Sequence, residues 1–158
     1  MKKHNIQKYS KKIFLIPPFY FYFCIALSIA LRFIIPQTNL IALLPRIIIG
    51  IPILTCGGYF VMHSFFLFKK SKTPESFQKS LCVVESGLYK YSRNPMYVGF
   101  VFILAGIALL LGNIASFISP LLMIAVLNWM FIPYEEEKME IECREQYLQY
   151  KQRVRRWL

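Results

Sequence analysis

Charged residues divide this chain into long apolar runs. Ile13 to Leu31 is 19 residues without a charge, Ile47 to Phe68 is 22, and Asn94 to Tyr134 is 41. An uncharged apolar run of about 20 residues crosses the hydrocarbon core of a bilayer as a helix. The first two runs each suit one helix, and the third suits two. Gly112-Asn113 lies near the middle of the third run, between Leu109-Leu110-Leu111 and Ile114, and Gly-Asn is a turn signal. Backbone facing lipid must satisfy its polar groups internally, so a helical hairpin is the economical arrangement. The pattern predicts spans over residues 13–31, 47–68, 95–111 and 114–134. Pro17-Pro18 falls early in the first span, where a helix tolerates proline best. Beyond Tyr134 the period changes. Met139, Cys143, Tyr147, Tyr150 and Val154 recur at helical spacing, which predicts an amphipathic helix over residues 135–156 along the cytoplasmic face, with Glu140 and Arg144 as an i,i+4 pair. Pro133 marks a break before it. The expected fold is all-α and integral to the membrane: four transmembrane helices and a C-terminal cytoplasmic amphipathic helix, in a single domain over residues 1–158.

Composition agrees. Charged residues are 17% and hydrophobic residues 56% of the chain, against about 25% charge in soluble domains. A net charge of +11 raises nucleic acid as a partner, but the placement of charge argues against it. With four spans, the N-terminus, the middle loop and the C-terminal segment carry 5, 6 and 6 Lys or Arg, and the two opposite loops carry only Arg32 and Arg46. All eight acidic residues are Glu and lie on the basic side. The positive-inside rule then puts both termini in the cytoplasm, in a bacterial-type inner membrane. The basic clusters read as topology determinants and contacts with anionic membrane lipids. The cysteines, Cys24, Cys56, Cys82 and Cys143, are scattered singly and suggest neither a zinc site nor a disulfide framework. No Gly-rich phosphate loop or dinucleotide fingerprint occurs; Gly57-Gly58 lies inside a span and reads as a kink or a close helix contact.

Polar chemistry concentrates at the heads of the third and fourth spans. The segment from Gly87 to Gly99 runs into the third span. Gly87 permits a turn, Asn94 can cap the helix, and Pro95 suits its first turn. A helix N-terminus beside Arg93 favours an anion or carboxylate, although a plain capped span with interfacial tyrosines is an equal alternative. Glu135-Glu136-Glu137 follows the fourth span, where carboxylates at a helix C-terminus need cations; Arg93 across the hairpin or a ligand ammonium are candidates. His63 is a polar residue within a span but lacks a second ligand for metal, and Asn128 reads as an interhelical hydrogen-bond former.

Gly87, Tyr89, Arg93, Asn94, Pro95, Tyr97 and Gly99, then a hydrophobic hairpin, then Glu135 and Glu136, then Tyr147, Tyr150 and Val154, together resemble the isoprenylcysteine carboxyl methyltransferase and phospholipid methyltransferase group. The resemblance covers Leu81 to Val154. Asn94 stands where the carboxyl methyltransferases usually carry histidine, and Cys143-Arg144 replaces a common Phe-Gly. The resemblance implies S-adenosylmethionine as methyl donor, no metal, and a cofactor-binding set of Gly87, Tyr89, Arg93, Asn94, Pro95, Tyr97, Glu135 and Glu136. It implies that Glu135 or Glu136 takes the cofactor ammonium, that Arg93, Asn94 and the helix end take its carboxylate, and that Tyr89 and Tyr97 wall the adenosine or the methyl path. It implies a lipid-like or small hydrophobic acceptor, and points to no individual catalytic residue. Two alternatives stay open: an NADPH-dependent membrane reductase of the sterol-reductase-like group, and a non-enzymatic four-span protein.

Overall fold

The computed structural model describes residues 17–35, 42–71 and 83–158. The N-terminal basic cluster, residues 13–16 of the first expected span, the polar stretch 36–39, Lys72, Lys79 and Cys82 lie outside the described residues. Among the described residues five α-helices follow one another: α1 Pro17–Ile34, α2 Leu43–Ser71, α3 Pro95–Leu111, α4 Ile118–Val126 and α5 Ile132–Arg153. Short 3-10 turns at Gly87–Lys90 and Ile114–Phe117 precede α3 and α4, and a π-helical stretch, Leu127–Phe131, joins α4 to α5.

α2 and α3 pack with their backbones in contact. A Cβ on Gly57 would stand 2.7 Å from the backbone nitrogen of Ile103 and 2.8 Å from the Gly99 carbonyl; one on Gly106 would stand 2.9 Å from the backbone nitrogen of Leu54. Small residues at such crossings let apolar helices gain dispersion contact where lipid gives no hydrophobic drive. Gly57 is therefore the close contact that its sequence position suggests, whereas Gly58 faces open space. The hairpin turn falls where expected. Gly112 ends α3 in the left-handed region (φ 66), and its N–H donates to the carbonyls of Ala108 and Leu109. The buried Asn113 amide donates to the Ile35 carbonyl at 2.7 Å, and its oxygen accepts the Ala115 N–H at 2.9 Å. The Ser116 hydroxyl donates to the Ser28 carbonyl at 2.9 Å, tying α1 to the same turn. Between α1, α3 and the α4–α5 helix lies the core of Phe21, Phe100, Leu104, Met123, Leu127 and Ile132.

The outer faces are as apolar as the core. Phe33, Tyr59, Phe66 and Trp129 are all more than half exposed, a surface suited to hydrocarbon. Among the described residues, three helices are long and apolar enough to cross a membrane: Pro17–Ile34, Leu43–Lys70 and Ile114–Arg153. α3 is apolar but has 17 residues, about 25 Å of helix against a hydrocarbon core of about 30 Å.

Three expectations need correction. Pro133 does not break the chain: helix continues from Ile114 to Arg153, 40 residues in all. The wider π-helical turns at Leu127–Phe131 come just before Pro133, and they accommodate a residue that lacks an N–H and crowds the preceding turn. Charges in this helix begin at Glu135, so hydrocarbon can hold only the part before it. Secondly, the last helix ends at Arg153, because Val154 is extended (φ −120, ψ 135) and Arg155 forms a parallel bridge with Ser92. Thirdly, Glu140 pairs with Lys151 at 2.7 Å, while Arg144 leaves helical geometry (φ 43, ψ −118) and kinks α5. The apolar stripe forms, but it turns inward. Cys143, Tyr147 and Tyr150 bury themselves with Val83, flanked by Met139 and Val154. Cys143 is disulfide-bonded, which its isolated position in the sequence did not suggest.

Candidate functional site

The segment before α3 is shaped by a glycine that no other residue replaces easily. Gly87 has φ 58, and a Cβ there would stand 2.7 Å from His63 Nε2. The 3-10 turn that follows is closed by the Tyr91 and Ser92 N–H groups on the Leu88 carbonyl, and it delivers Tyr89, Arg93 and Asn94 to the head of α3. His63 stacks on Tyr59 with ring centroids 5.4 Å apart, supporting this turn from α2.

Opposite stands the head of α5. Between the two lies a cavity of about 560 Å³, lined by Tyr89, Arg93, Asn94, Pro95, Tyr97, Glu135 and Glu136, and also by Met96, Met139, Tyr147 and Tyr150. That volume lies within the range of small-molecule sites, about 300–1,000 Å³. Seven of the eight residues expected to bind cofactor therefore meet in one place. Gly87 is outside the wall and acts through the turn.

Charge in the cavity wall centres on Glu136, whose side chain is 8% exposed. Its carboxylate forms an ion pair with Arg93 Nη2 at 3.2 Å and accepts hydrogen bonds from Arg156 Nη2 at 2.8 Å and Arg156 Nε at 3.1 Å; Lys151 Nζ lies at 3.7 Å. The Arg93 pairing across the hairpin is the one the sequence suggested. Arg93 is buried with it, and its Nε and Nη1 have no hydrogen-bond partner. Buried donors without an acceptor are costly, so this guanidinium is half-satisfied and points to an anion. Glu136, in contrast, is engaged by three cations. Glu135 is the available carboxylate. It accepts a short hydrogen bond from the Tyr97 hydroxyl. Burial raises its carboxyl above the usual glutamate value, against the opposing Tyr97 hydrogen bond and Lys138 charge. Burial, with Glu135 nearby, pushes the Tyr89 phenol up to about 12. Burial and Glu136 push that of Tyr147 up to about 12, against the charge of Arg93 and a side-chain hydrogen bond with it. These phenols stay neutral at physiological pH and offer ring faces and hydroxyls. The Tyr150 hydroxyl donates to the Tyr89 carbonyl at 2.8 Å, fastening the kinked part of α5 over the loop.

Two expectations about the helix end change. The Asn94 side chain makes no capping bond; its amide donates to the Arg156 carbonyl at 3.0 Å. The Asn94 carbonyl already accepts the N–H groups of Tyr97 and Val98. Since Pro95 has no N–H, only that of Met96 is left at the start of α3, and helix-end attraction for an anion is smaller than four open donors would give. The carboxylates also do not sit at a helix C-terminus, because the helix that begins at Ile114 runs on through them to Arg153; they lie in its interior, away from the charge of either helix end. Asn128 accepts Arg156 Nη1 at 3.3 Å, so its partner is a guanidinium and not a neighbouring helix's backbone. Arg156, Lys151 and Ser92 escaped the sequence reading. The signal available for the first two was the need of three adjacent glutamates for cations, set against a basic stretch about 20 residues onward.

Comparison with known proteins now bears on this geometry. The family model for phospholipid methyltransferase matches residues 45–143, more than half of the chain. An uncharacterized protein of Haemophilus influenzae is 38% identical over 63 residues, 40% of this chain and 100% of that protein. Protein-S-isoprenylcysteine O-methyltransferase B of Arabidopsis thaliana is 37% identical over 76 residues, 46% of this chain and 36% of that protein. No solved structure matches the chain.

Proposed function

The chain belongs to the phospholipid methyltransferase family, and we propose that it is an S-adenosylmethionine-dependent membrane methyltransferase whose cofactor site is the cavity between the heads of α3 and α5. When bound, S-adenosylmethionine supplies an electrophilic methyl group on a sulfonium. One observation carries the reading: a buried Arg93 with two unpartnered donors faces the same cavity as the acidic Glu135 and the rings of Tyr89, Tyr97, Tyr147 and Tyr150. An amino-acid moiety needs a cation for its carboxylate and an anion for its ammonium, and a sulfonium is well received by aromatic faces. Arg93 would hold the carboxylate by a charge-assisted fork. Glu135, oriented by the Tyr97 hydroxyl, would hold the ammonium. Glu136 serves Arg93 and not the ligand. Tyr89 and Tyr97 wall the ligand and exclude water. Methyl transfer needs alignment and desolvation more than proton transfer, which suits a wall of neutral phenols and leaves no residue to name as acid or base.

The acceptor we propose is lipid-like or a small hydrophobic molecule, since the cavity opens at the head of helices whose outer faces are apolar. We further propose four spans, counting the short α3, with both termini and the segment before α3 cytoplasmic. The support is the basic excess on that side. Membranes containing the protein, incubated with methyl-labelled S-adenosylmethionine, should transfer label to a lipid-extractable fraction; label confined to water-soluble acceptors would contradict the lipid-like acceptor. For the orientation, a cysteine introduced by Ser86→Cys should resist impermeant thiol reagents in intact cells, and ready labelling from outside would overturn the topology.

A further inference from the structure

Residues 154–157 leave helical geometry and return across the head of α3 as a strap. The Arg93 N–H donates to the Arg155 carbonyl at 2.9 Å. The Arg156 carbonyl accepts the Asn94 amide at 3.0 Å and the Ser92 hydroxyl at 3.4 Å. Trp157 packs against the apolar core. The strap's side-chain contact is a fork. Arg156 Nε and Nη2 engage the two oxygens of Glu136 at 3.1 and 2.8 Å, and Nη1 reaches Asn128 Oδ1 at 3.3 Å. Glu136 Oε1 is thus shared between Arg156 Nε and Arg93 Nη2.

This sharing has a chemical consequence. A carboxylate alone with a guanidinium pairs through both oxygens, which is its strongest arrangement. Here that arrangement belongs to Arg156, and Arg93 receives one oxygen edge only. Its remaining donors, Nε and Nη1, stay unpartnered. Lys151 is shared between Glu136 at 3.7 Å and Glu140 at 2.7 Å, so three cations meet two carboxylates in this cluster and one positive charge is in excess.

We propose that Arg156 is a positioning residue for the cofactor site: by holding Glu136 in a bidentate pair, it prevents that carboxylate from neutralising Arg93 and keeps the Arg93 donors available to an anionic ligand group. The proposal rests on the reading that this cavity binds S-adenosylmethionine, and it adds a control on that binding from a segment that does not line the cavity. Without Arg156, Glu136 is free to swing onto Arg93 and compete with the ligand carboxylate. Lys151 does not substitute from where it stands, because its ammonium is 3.7 Å from Glu136 and held by Glu140 at 2.7 Å.

The test is S-adenosylhomocysteine binding by calorimetry to the purified full chain in detergent. Arg156→Gln should weaken binding about tenfold or more, the scale of one charge-assisted contact, and Arg156→Lys should weaken it less. Since Arg156 acts through Glu136, adding Arg156→Gln to a Glu136→Gln protein should cost nothing further, a non-additivity that general loss of fold does not produce. Guanidinium ion added to an Arg156→Ala protein should recover part of the lost affinity. Wild-type affinity in Arg156→Gln overturns the proposal alone and leaves the cofactor site standing. So does full additivity with Glu136→Gln, or failure of both Arg156→Lys and added guanidinium to restore binding. Absence of binding to the unmodified chain overturns the cofactor reading and this proposal together.

Discussion

The α2–α3 crossing and the head of the molecule are held together by opposite means. In the crossing, two apolar helices touch through missing side chains: Gly57, Gly99 and Gly106 bring backbone to backbone. At the head, Arg93, Glu136, Lys151 and Arg156 come from segments up to about 60 residues apart and touch through charge. The first arrangement tolerates almost no added volume, and the second almost no lost charge. The difference separates what carries the site from what is the site.

The largest effect is expected where a buried charge loses its partners. Glu136→Ala leaves Arg93, Arg156 and Lys151 facing one another, and breaking a buried ionic cluster in this way costs about 3–5 kcal/mol. The variant should unfold earlier in detergent and lose S-adenosylhomocysteine binding; a stable variant that binds normally would remove the charge cluster from the site. At the α2–α3 crossing, Gly99→Val places a Cβ 2.7 Å from Val61 Cγ2 and 2.8 Å from the Gly57 carbonyl. It should destabilise by about 1–3 kcal/mol, seen in thermal unfolding, while the folded fraction keeps its cofactor affinity. Equal losses of stability and affinity would show that the two regions are not separable.

A smaller effect, of opposite sign, is expected at the kink. Arg144 has φ 43 and ψ −118, and it alone among the described non-glycine residues has positive φ. Strain of this kind costs on the order of 1–3 kcal/mol. Arg144→Gly should therefore raise stability by about 1 kcal/mol in thermal unfolding; a lowered melting temperature would mean that the arginine side chain outweighs its backbone. The smallest effect concerns pH. Burial raises the Glu135 carboxyl, so above the ordinary glutamate value of about 4.3 the folded chain binds more protons than the unfolded chain. The contribution of Glu135 to stability thus falls as pH rises through this window, while affinity for an ammonium-bearing ligand rises as Glu135 ionises. Paired unfolding and binding series against pH check the two slopes, and Glu135→Gln should flatten both.

The bounds of α3 and its turn into α4 were legible in the sequence and much of the head was not. Pro95 opens α3 and Gly112-Asn113 closes it at the positions expected, because proline geometry and left-handed glycine are local properties. The residues gathered around the cavity were legible as a set, since Tyr89, Arg93 and Tyr97 lie within a few residues of one another and Glu135 is the first charge on the facing helix. Their division of labour was not. That Glu136 is engaged by Arg156, or that Asn94 donates to the strap and not toward the cavity, depends on a return of the chain that no local pattern announces. The π-helical passage before Pro133 and the kink at Arg144 have the same origin. Proline usually ends a helix and arginine usually continues one, and here packing overrides both. The Cys143-Arg144 pair, which departs from the Phe-Gly of the family pattern that the sequence resembles, held the clue to the kink: arginine at a residue with positive φ.

The most direct measurement is S-adenosylhomocysteine titration of the purified protein and its Arg93→Gln variant, by calorimetry in detergent at fixed pH and salt. The unmodified protein should bind one equivalent, and the variant should bind about ten- to a hundredfold more weakly, the loss of about 1.5–3 kcal/mol expected for a charge-assisted contact. Equal affinity in the two proteins would contradict a cofactor site built on Arg93.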